Sequence, residues 1–444
     1  MFSNEVRKQY IELLKKEVKP ALGCTEPIAV ALAVAKASEL LKQLGEMPAK
    51  ITVEVSANIL KNAMGVGIPG TGMNGLYIAS ALGVCCGKSS YGLEVLKDVQ
   101  PSSVKEAMKM VTANRIEIKL AQEDIKLYIK ASCWSTHHAS CAVIEDEHDH
   151  FVEVLLDGQC VAGYEFKEIK ADSDMEETAI EKFRQSITIA SIFEYATTTP
   201  LEELRFILDS VELNMAIAKE GLSHRYGLQV GRTIQNVKHH DLFGDGILSY
   251  AMSITSAAAD ARMAGCTLPA MSNSGSGNQG ITVTLPVAAI AQKLKSSEEQ
   301  LIRALIISHL TAIHIKTYLG RLSALCGCVV ASTGAACGIS YLMGGGYEQI
   351  TYAVKNMVGN ITGMVCDGAK AGCALKVSSG TSSAIQSAIL AVDNICISDN
   401  DGIIEQDVEK TIFNLGKVGT TGMQNTDPIM LNIMINKQHE NTCA

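Results

Sequence analysis

Five of the chain's fourteen cysteines, Cys326, Cys328, Cys337, Cys366 and Cys373, fall between positions 322 and 377, its most charge-poor stretch. Thiolates grouped in this way can hold a soft metal centre. Cys366 and Cys373 are seven positions apart, and Gly368 and Gly372 between them favour a bent loop that curls round something. The spacing is not that of a zinc ribbon, because no paired Cys-x-x-Cys motif occurs, and it is not a ferredoxin run. Most of the other thiols read as small core residues, including the adjacent pair Cys85-Cys86.

A second chemical feature lies near the start. Pro20-Ala21-Leu22-Gly23-Cys24-Thr25-Glu26-Pro27 joins two expected helices, the second over 27–44. Thr25 is the expected N-cap and Pro27 suits a first helical turn. Cys24 then sits beside a helix N-terminus, where the dipole favours a thiolate. An inert buried thiol is the plainer alternative.

Two polar loops offer places for a substrate. Positions 58–72 carry four glycines together with Asn58, Lys61 and Asn62. Such a loop is expected to present free backbone N–H groups to a carboxylate or phosphate. It has neither P-loop nor dinucleotide-binding spacing, and an ordinary turn-rich connection is the alternative. Positions 269–280 gather Ser272, Asn273, Ser274, Ser276 and Asn278 between two hydrophobic helices, which suits an amino-acid carboxylate at a helix N-terminus. The helix expected over 302–318 carries His309, His314 and Lys316. The last two precede the cysteines closely enough to be site candidates. The pairs His137-His138 and His148/His150 read as a solvated region rather than a metal site, the second lying in an acidic hairpin turn.

The elements that must position these groups form an α+β chain with a helical majority. We expect an N-terminal helical segment over 1–113, a small antiparallel β-rich domain over 114–175, and an all-helical catalytic domain over 176–444. Positions 177–196 read as one helix. Hydrophobic residues make up 47% and aromatics 5%, so the core is largely aliphatic, and the net charge of −9 argues against nucleic-acid binding. The uncharged run 322–347 raises a membrane reading, but its glycines, serines and Thr333 favour a buried helix instead. The start of the chain is charged and amphipathic, not a signal peptide. The expectation is a soluble, cytoplasmic protein, a homo-oligomer, with no membrane or nucleic-acid partner. A disulfide framework does not fit.

Over nearly its whole length the chain resembles the iron–sulfur L-cysteine desulfidase family, which is related to the iron–sulfur L-serine dehydratase alpha chain. The resemblance is carried by Gly23-Cys24-Thr25-Glu26-Pro27, by 272–280, by Arg321-Leu322-Ser323-Ala324-Leu325-Cys326-Gly327-Cys328, and by Met364-Val365-Cys366 through Cys373. It implies a [4Fe–4S] cluster on Cys326, Cys366 and Cys373, with one iron open and oxygen-labile. It also implies that Cys24 is functional, as a weak fourth ligand or a proton acceptor. Cys328 does not match a ligand position. In related serine dehydratases a C-terminal cysteine can cap the open iron, which would make Cys443 a candidate, with a free polar tail as the plainer reading.

The implied reaction is β-elimination of a small amino-acid substrate: L-cysteine to sulfide, ammonia and pyruvate. The base stays open at this point, with Cys24 first and Lys61, His314 and Lys316 after it. Three alternatives are retained. The same site can act on L-serine. A pyridoxal-phosphate lyase is suggested by Ser274-Gly275-Ser276-Gly277-Asn278, although the alternating α/β pattern of that class is missing. A non-enzymatic sulfur or thiol protein is the third.

Overall fold

The structure, a computed structural model, describes residues 2–123, 125–163, 171–320 and 323–441. α1 (Asn4–Glu17) is capped by Ser3, whose hydroxyl accepts from the Val6 N–H. It buries Tyr10, Leu13 and Leu14 against residues of the C-terminal half. β1 (Pro20–Ala21) then carries the chain across to α2 (Thr25–Gln43), which is buried on nearly every side.

α2 lies on a six-stranded sheet. β2 (Lys50–Val55) leads into α3 (Ala57–Ala63), α4 (Leu76–Cys85) and α5 (Pro101–Thr112). β3 (Ile116–Leu120), β4 (Tyr128–Trp134), β5 (Ala139–Glu145), β6 (Phe151–Leu156) and β7 (Gln159–Cys160) follow. The strand order is β3-β2-β4-β5-β6-β7. β2 pairs antiparallel with β4 but parallel with β3, in the register Ile51↔Ile116. The three intervening helices make the crossover that a parallel pair requires. Ile51, Val53 and Val55 join Ile129, Ala131, Ala142, Ile144 and Val154 beneath the aliphatic face of α2.

Three expectations are corrected here. The sheet is not confined to 114–175, because β2 supplies a central strand from the first segment. Nor is 1–113 a separate unit, since α1 packs on the C-terminal core. Residues 57–63, expected as part of a glycine-rich loop, are helical.

The second core is helical. The chain there runs through α6 (Ala171–Ser186), α7 (Ile189–Thr198), α8 (Leu201–Leu204), α9 (Leu208–Ser223), α10 (Val230–Gln235), α11 (His240–Phe243) and α12 (Ile247–Met263). β8 (Ala270–Met271) pairs back with β1. Then come α13 (Gly277–Leu294), α14 (Glu298–Leu319), α15 (Gly327–Leu342), α16 (Tyr347–Ile361), α17 (Cys373–Val392), α18 (Val408–Lys417) and α19 (Thr426–Asn441). The single helix expected over 177–196 is two. Thr188 and Ser191 form a reciprocal capping box that starts α7 afresh. α15 is the uncharged run. It is enclosed by α13, α14, α16 and α17, and among the described residues no helix is long and apolar enough to cross a membrane. The β1–β8 pair stitches the two cores together immediately before Cys24.

Candidate active site

Four helix N-termini meet at one pocket. Cys24 is the N-cap of α2, Ser276 of α13 and Cys326 of α15, while Cys373 is the first residue of α17. All four residues line the same cavity. Each terminus brings unsatisfied N–H groups and a partial positive charge. Ser276 accepts from the Gln279 N–H, whereas Cys24 and Cys326 cap nothing with their sulfurs. The N-cap expected at Thr25 is therefore one residue earlier, and Thr25 instead donates to the Gly275 carbonyl at 3.0 Å.

One wall is sulfur. An isolated antiparallel bridge joins Leu325 to Val365. The Cys326 N–H donates to the Met364 carbonyl at 2.9 Å, and the Cys366 N–H to the Ala324 carbonyl at 2.7 Å. This register makes Cys326 and Cys366 diagonal neighbours on one face, roughly 7 Å apart by ordinary ladder geometry. Cys373 returns to the same pocket through a loop turned at Gly368, where φ is +89°. A Cβ at Gly368 would stand 2.4 Å from the Lys61 carbonyl oxygen, so the loop can lie against α3 only with glycine there. Burial, then the neighbouring Cys366, pushes the Cys326 thiol up to about 12, and burial also raises Cys373. Lys376 counteracts both. Cys328 lines the pocket too, but its sulfur donates to the Lys376 carbonyl at 3.1 Å.

Another part of the lining pairs a thiol with a carboxylate. The Cys24 thiol donates to Glu26 Oε2 at 2.9 Å, and Asn62 Nδ2 donates to Glu26 Oε1 at 3.0 Å. Burial, then the charge of Glu26, raises Cys24 well above an ordinary thiol. The expectation that the α2 dipole would make it a thiolate is not met, because desolvation and a carboxylate outweigh a helix end. Glu26 is displaced the other way. Burial favours its neutral form, but the charge of His148, the Cys24 bond and Arg262 together hold it below the usual carboxylate range.

His148 is itself buried. The hairpin between β5 and β6, expected as a solvated turn, is docked by ion pairs from Lys16 to Glu147 at 3.5 Å and from Lys19 to Asp149 at 3.3 Å. Those bonds turn the residue between them inward. Replacing His148 with Gln removes a positive charge that favours ionised Glu26. The Glu26 pKa then rises, and the acid limb of kcat/KM is expected to move to higher pH. An unmoved limb would detach His148 from Glu26.

A model of the serine dehydratase alpha chain matches residues 90–432. The chain belongs to the serine dehydratase alpha chain family. It is 52% identical over 439 residues to a UPF0597 protein of Bacteroides fragilis, covering 97% of this chain and 98% of that one. A UPF0597 protein of Oleidesulfovibrio alaskensis is 49% identical over 431 residues, with 97% and 98% covered. One from Aeromonas hydrophila is 43% identical over 429 residues, with 97% and 96% covered. The serine dehydratase alpha chain match includes the sulfur wall, whereas Cys24, Glu26 and Asn62 precede it.

The expected site residues divide within this serine dehydratase alpha chain frame. Cys24, Asn62, Ser276, Asn278, Lys316, Cys326, Cys366 and Cys373 line the pocket. Ser272, Asn273 and Ser274 do not line it. Ser272 bonds the Lys19 carbonyl, Asn273 contacts His309, and Ser274 donates to Asn273. That loop spends half its polar groups holding residues 17–19 and α14 in place. Asn58 is buried outside the pocket. The N–H groups of Gly67 and Gly70 are taken by the carbonyls of Met263 and Gly265, so the glycine-rich loop has fewer free donors than expected.

Two of the basic candidates are withdrawn for a physical reason. His314 lies outside the pocket and pairs with Glu409 at 2.6 Å. Lys61 pairs with Asp427 of α19 at 2.5 Å and reaches the Cys366 carbonyl at 3.4 Å, so it steadies the sulfur wall from behind. Asp427→Asn would leave a lysine that is 1% exposed without its counter-charge. A loss of about 3 kcal/mol is expected, read as a lower urea midpoint. Cys443 lies outside the described residues. Sequence reasoning missed Glu26 and Arg262 as site residues. Glu26 had a signal, since it stands in the Gly-Cys-Thr-Glu-Pro segment, but Arg262 had none.

Proposed function

We propose that this protein is an iron–sulfur lyase that eliminates the β-substituent of L-cysteine. The observation that carries the reading is that three cysteines, Cys326, Cys366 and Cys373, and a buried thiol–carboxylate pair, Cys24 and Glu26, line one pocket. The sulfur wall fits a cluster better than a single ion. Its diagonal cysteines are spread apart, and among the described residues no three His, Cys, Asp or Glu gather tightly enough for one metal ion. Cysteine thiols become ligands when iron displaces their protons.

A [4Fe–4S] cluster on these three residues would supply an open iron as a Lewis acid for the leaving sulfur. The remaining work belongs to the chain. The Glu26 charge keeps Cys24 a thiol until substrate binds. The ammonium of a bound substrate offsets that charge and favours the thiolate, which takes the proton from the substrate Cα while Glu26 orients the sulfur. Asn62 holds the Glu26 carboxylate in line. The converging helix ends favour the negative charge that develops as the Cα–H bond breaks. As the Cβ–S bond breaks, sulfide leaves together with 2-aminoacrylate. Hydrolysis of the latter consumes one water and gives pyruvate and ammonia. Lys316 remains a lining cation beside this chemistry.

The test is anaerobic purification, a visible spectrum, iron and sulfide analysis, and then addition of L-cysteine. Broad iron–sulfur absorbance with sulfide and pyruvate release is the expected result. No cluster after anaerobic reconstitution would overturn the reading. The family description favours one second reading, the same elimination on L-serine. A cluster-loaded protein that turns over L-serine alone would decide for it.

A further inference from the structure

Arg262 closes the last turn of α12 and lines the pocket, yet it is 3% exposed. Its Nη1 donates to Asn278 Oδ1 at 3.2 Å. Its Nε is buried with no hydrogen-bond partner. Among the described residues no carboxylate comes within 4 Å of the guanidinium to form an ion pair, whereas the similarly buried Arg184 pairs with Glu17 at 3.5 Å. A buried guanidinium is normally paired, because desolvating the charge is costly unless a counter-charge repays it. Glu26 feels the Arg262 charge but stays beyond ion-pair distance and is already bonded to Cys24 and Asn62, so the guanidinium lacks a contacting anion.

The surroundings state what that anion must be. Asn278 takes one of the guanidinium's donors and leaves others for a ligand in the pocket, and paired guanidinium N–H bonds match the two oxygens of a carboxylate. The guanidinium lies across the first turn of α13. A Cβ at Gly277 would meet its Nε at 2.2 Å, so only glycine at 277 lets the guanidinium lie this close to the helix. The N-cap of the same helix, Ser276, borders the pocket beside it. We infer that Arg262 receives the α-carboxylate of the substrate, and that Asn278 positions it. This rests on the pocket being an amino-acid site, and it adds the group that restricts substrates to α-amino acids.

The test compares Arg262→Lys and Arg262→Ala with wild type, using L-cysteine and cysteamine, which has the same thiol and amine but no carboxylate. In Arg262→Ala the KM for L-cysteine should rise between roughly 10- and 100-fold, the effect of losing a charge-assisted bond. The preference for L-cysteine over cysteamine should shrink by the same factor. Arg262→Lys keeps the charge without the fork, so it should fall between the two. Asn278→Ala should weaken L-cysteine less than Arg262→Ala does. Unchanged cluster absorbance would separate this from a structural role. Equal weakening of both compounds, or a KM within about twofold of wild type, would overturn the assignment, that ratio being too small for a charged hydrogen bond. Calorimetry with L-alanine, which has no leaving group, reads binding without turnover. If wild type binds L-alanine and Arg262→Ala does not, the carboxylate role stands even if no elimination is found. If wild type fails to bind it, the role falls.

Discussion

Serine at Cys326, Cys366 or Cys373, one at a time, is expected to remove the iron–sulfur absorbance and reduce sulfide release to background. Thiolate is the ligand such a cluster takes, and a serine hydroxyl does not replace it. The backbone that sets the three positions does not depend on their sulfurs. Cys326 and Cys366 are held by main-chain bonds to Met364 and Ala324, and the Cys373 N–H donates to the Lys370 carbonyl at 2.9 Å. The variants should therefore fold and fail only in holding iron. Binding to the native state alone raises stability, so loaded wild type should melt above its cluster-free form and the variants should lose that increment. Cys328→Ser is the control. Its sulfur already donates to the Lys376 carbonyl, and it is expected to retain absorbance and activity. A serine variant at 326, 366 or 373 that keeps both would remove that residue from the ligand set.

Cys24→Ala and Glu26→Gln are expected to cost the largest factor in turnover while leaving the cluster spectrum intact. Positioned proton transfer contributes roughly 10²–10⁴-fold, and kcat should fall by that order in each variant. Because the two groups act as a unit, the double variant should be little worse than either single one. The sign of the pH response tests the pairing. Burial leads the rise in the Cys24 pKa and the Glu26 charge adds to it. Glu26→Gln abolishes that charge, so the Cys24 pKa falls and residual activity should rise at lower pH than in wild type. In wild type the depressed Glu26 keeps its carboxylate, and the stability it gives, above the usual carboxylate range. That contribution disappears only as pH falls through its lowered value. Additive losses, or an unshifted profile in Glu26→Gln, would separate the thiol from the carboxylate.

Local sequence was enough for the parts of this protein whose signal is local. Glycine and proline around Cys24, the small polar run at 272–280 and the charge-poor cysteine stretch each mark a break in periodicity. The structure gathers Cys24, Ser276, Asn278, Cys326, Cys366 and Cys373 from them. The helical majority follows from apolar spacing in the same way. What the tertiary structure alone decided is which polar groups were already spent. Lys61 and His314 look like free bases in sequence, but their partners lie 366 and 95 positions away. His148 sits in an acidic turn that sequence reads as wet, until two ion pairs to the end of α1 and the residues after it bury it. Arg262 ends a helix of alanine and serine with nothing nearby to mark it. Its significance is that no carboxylate of the described residues reaches ion-pair distance of it, and only the packed chain fixes which charges meet and which do not.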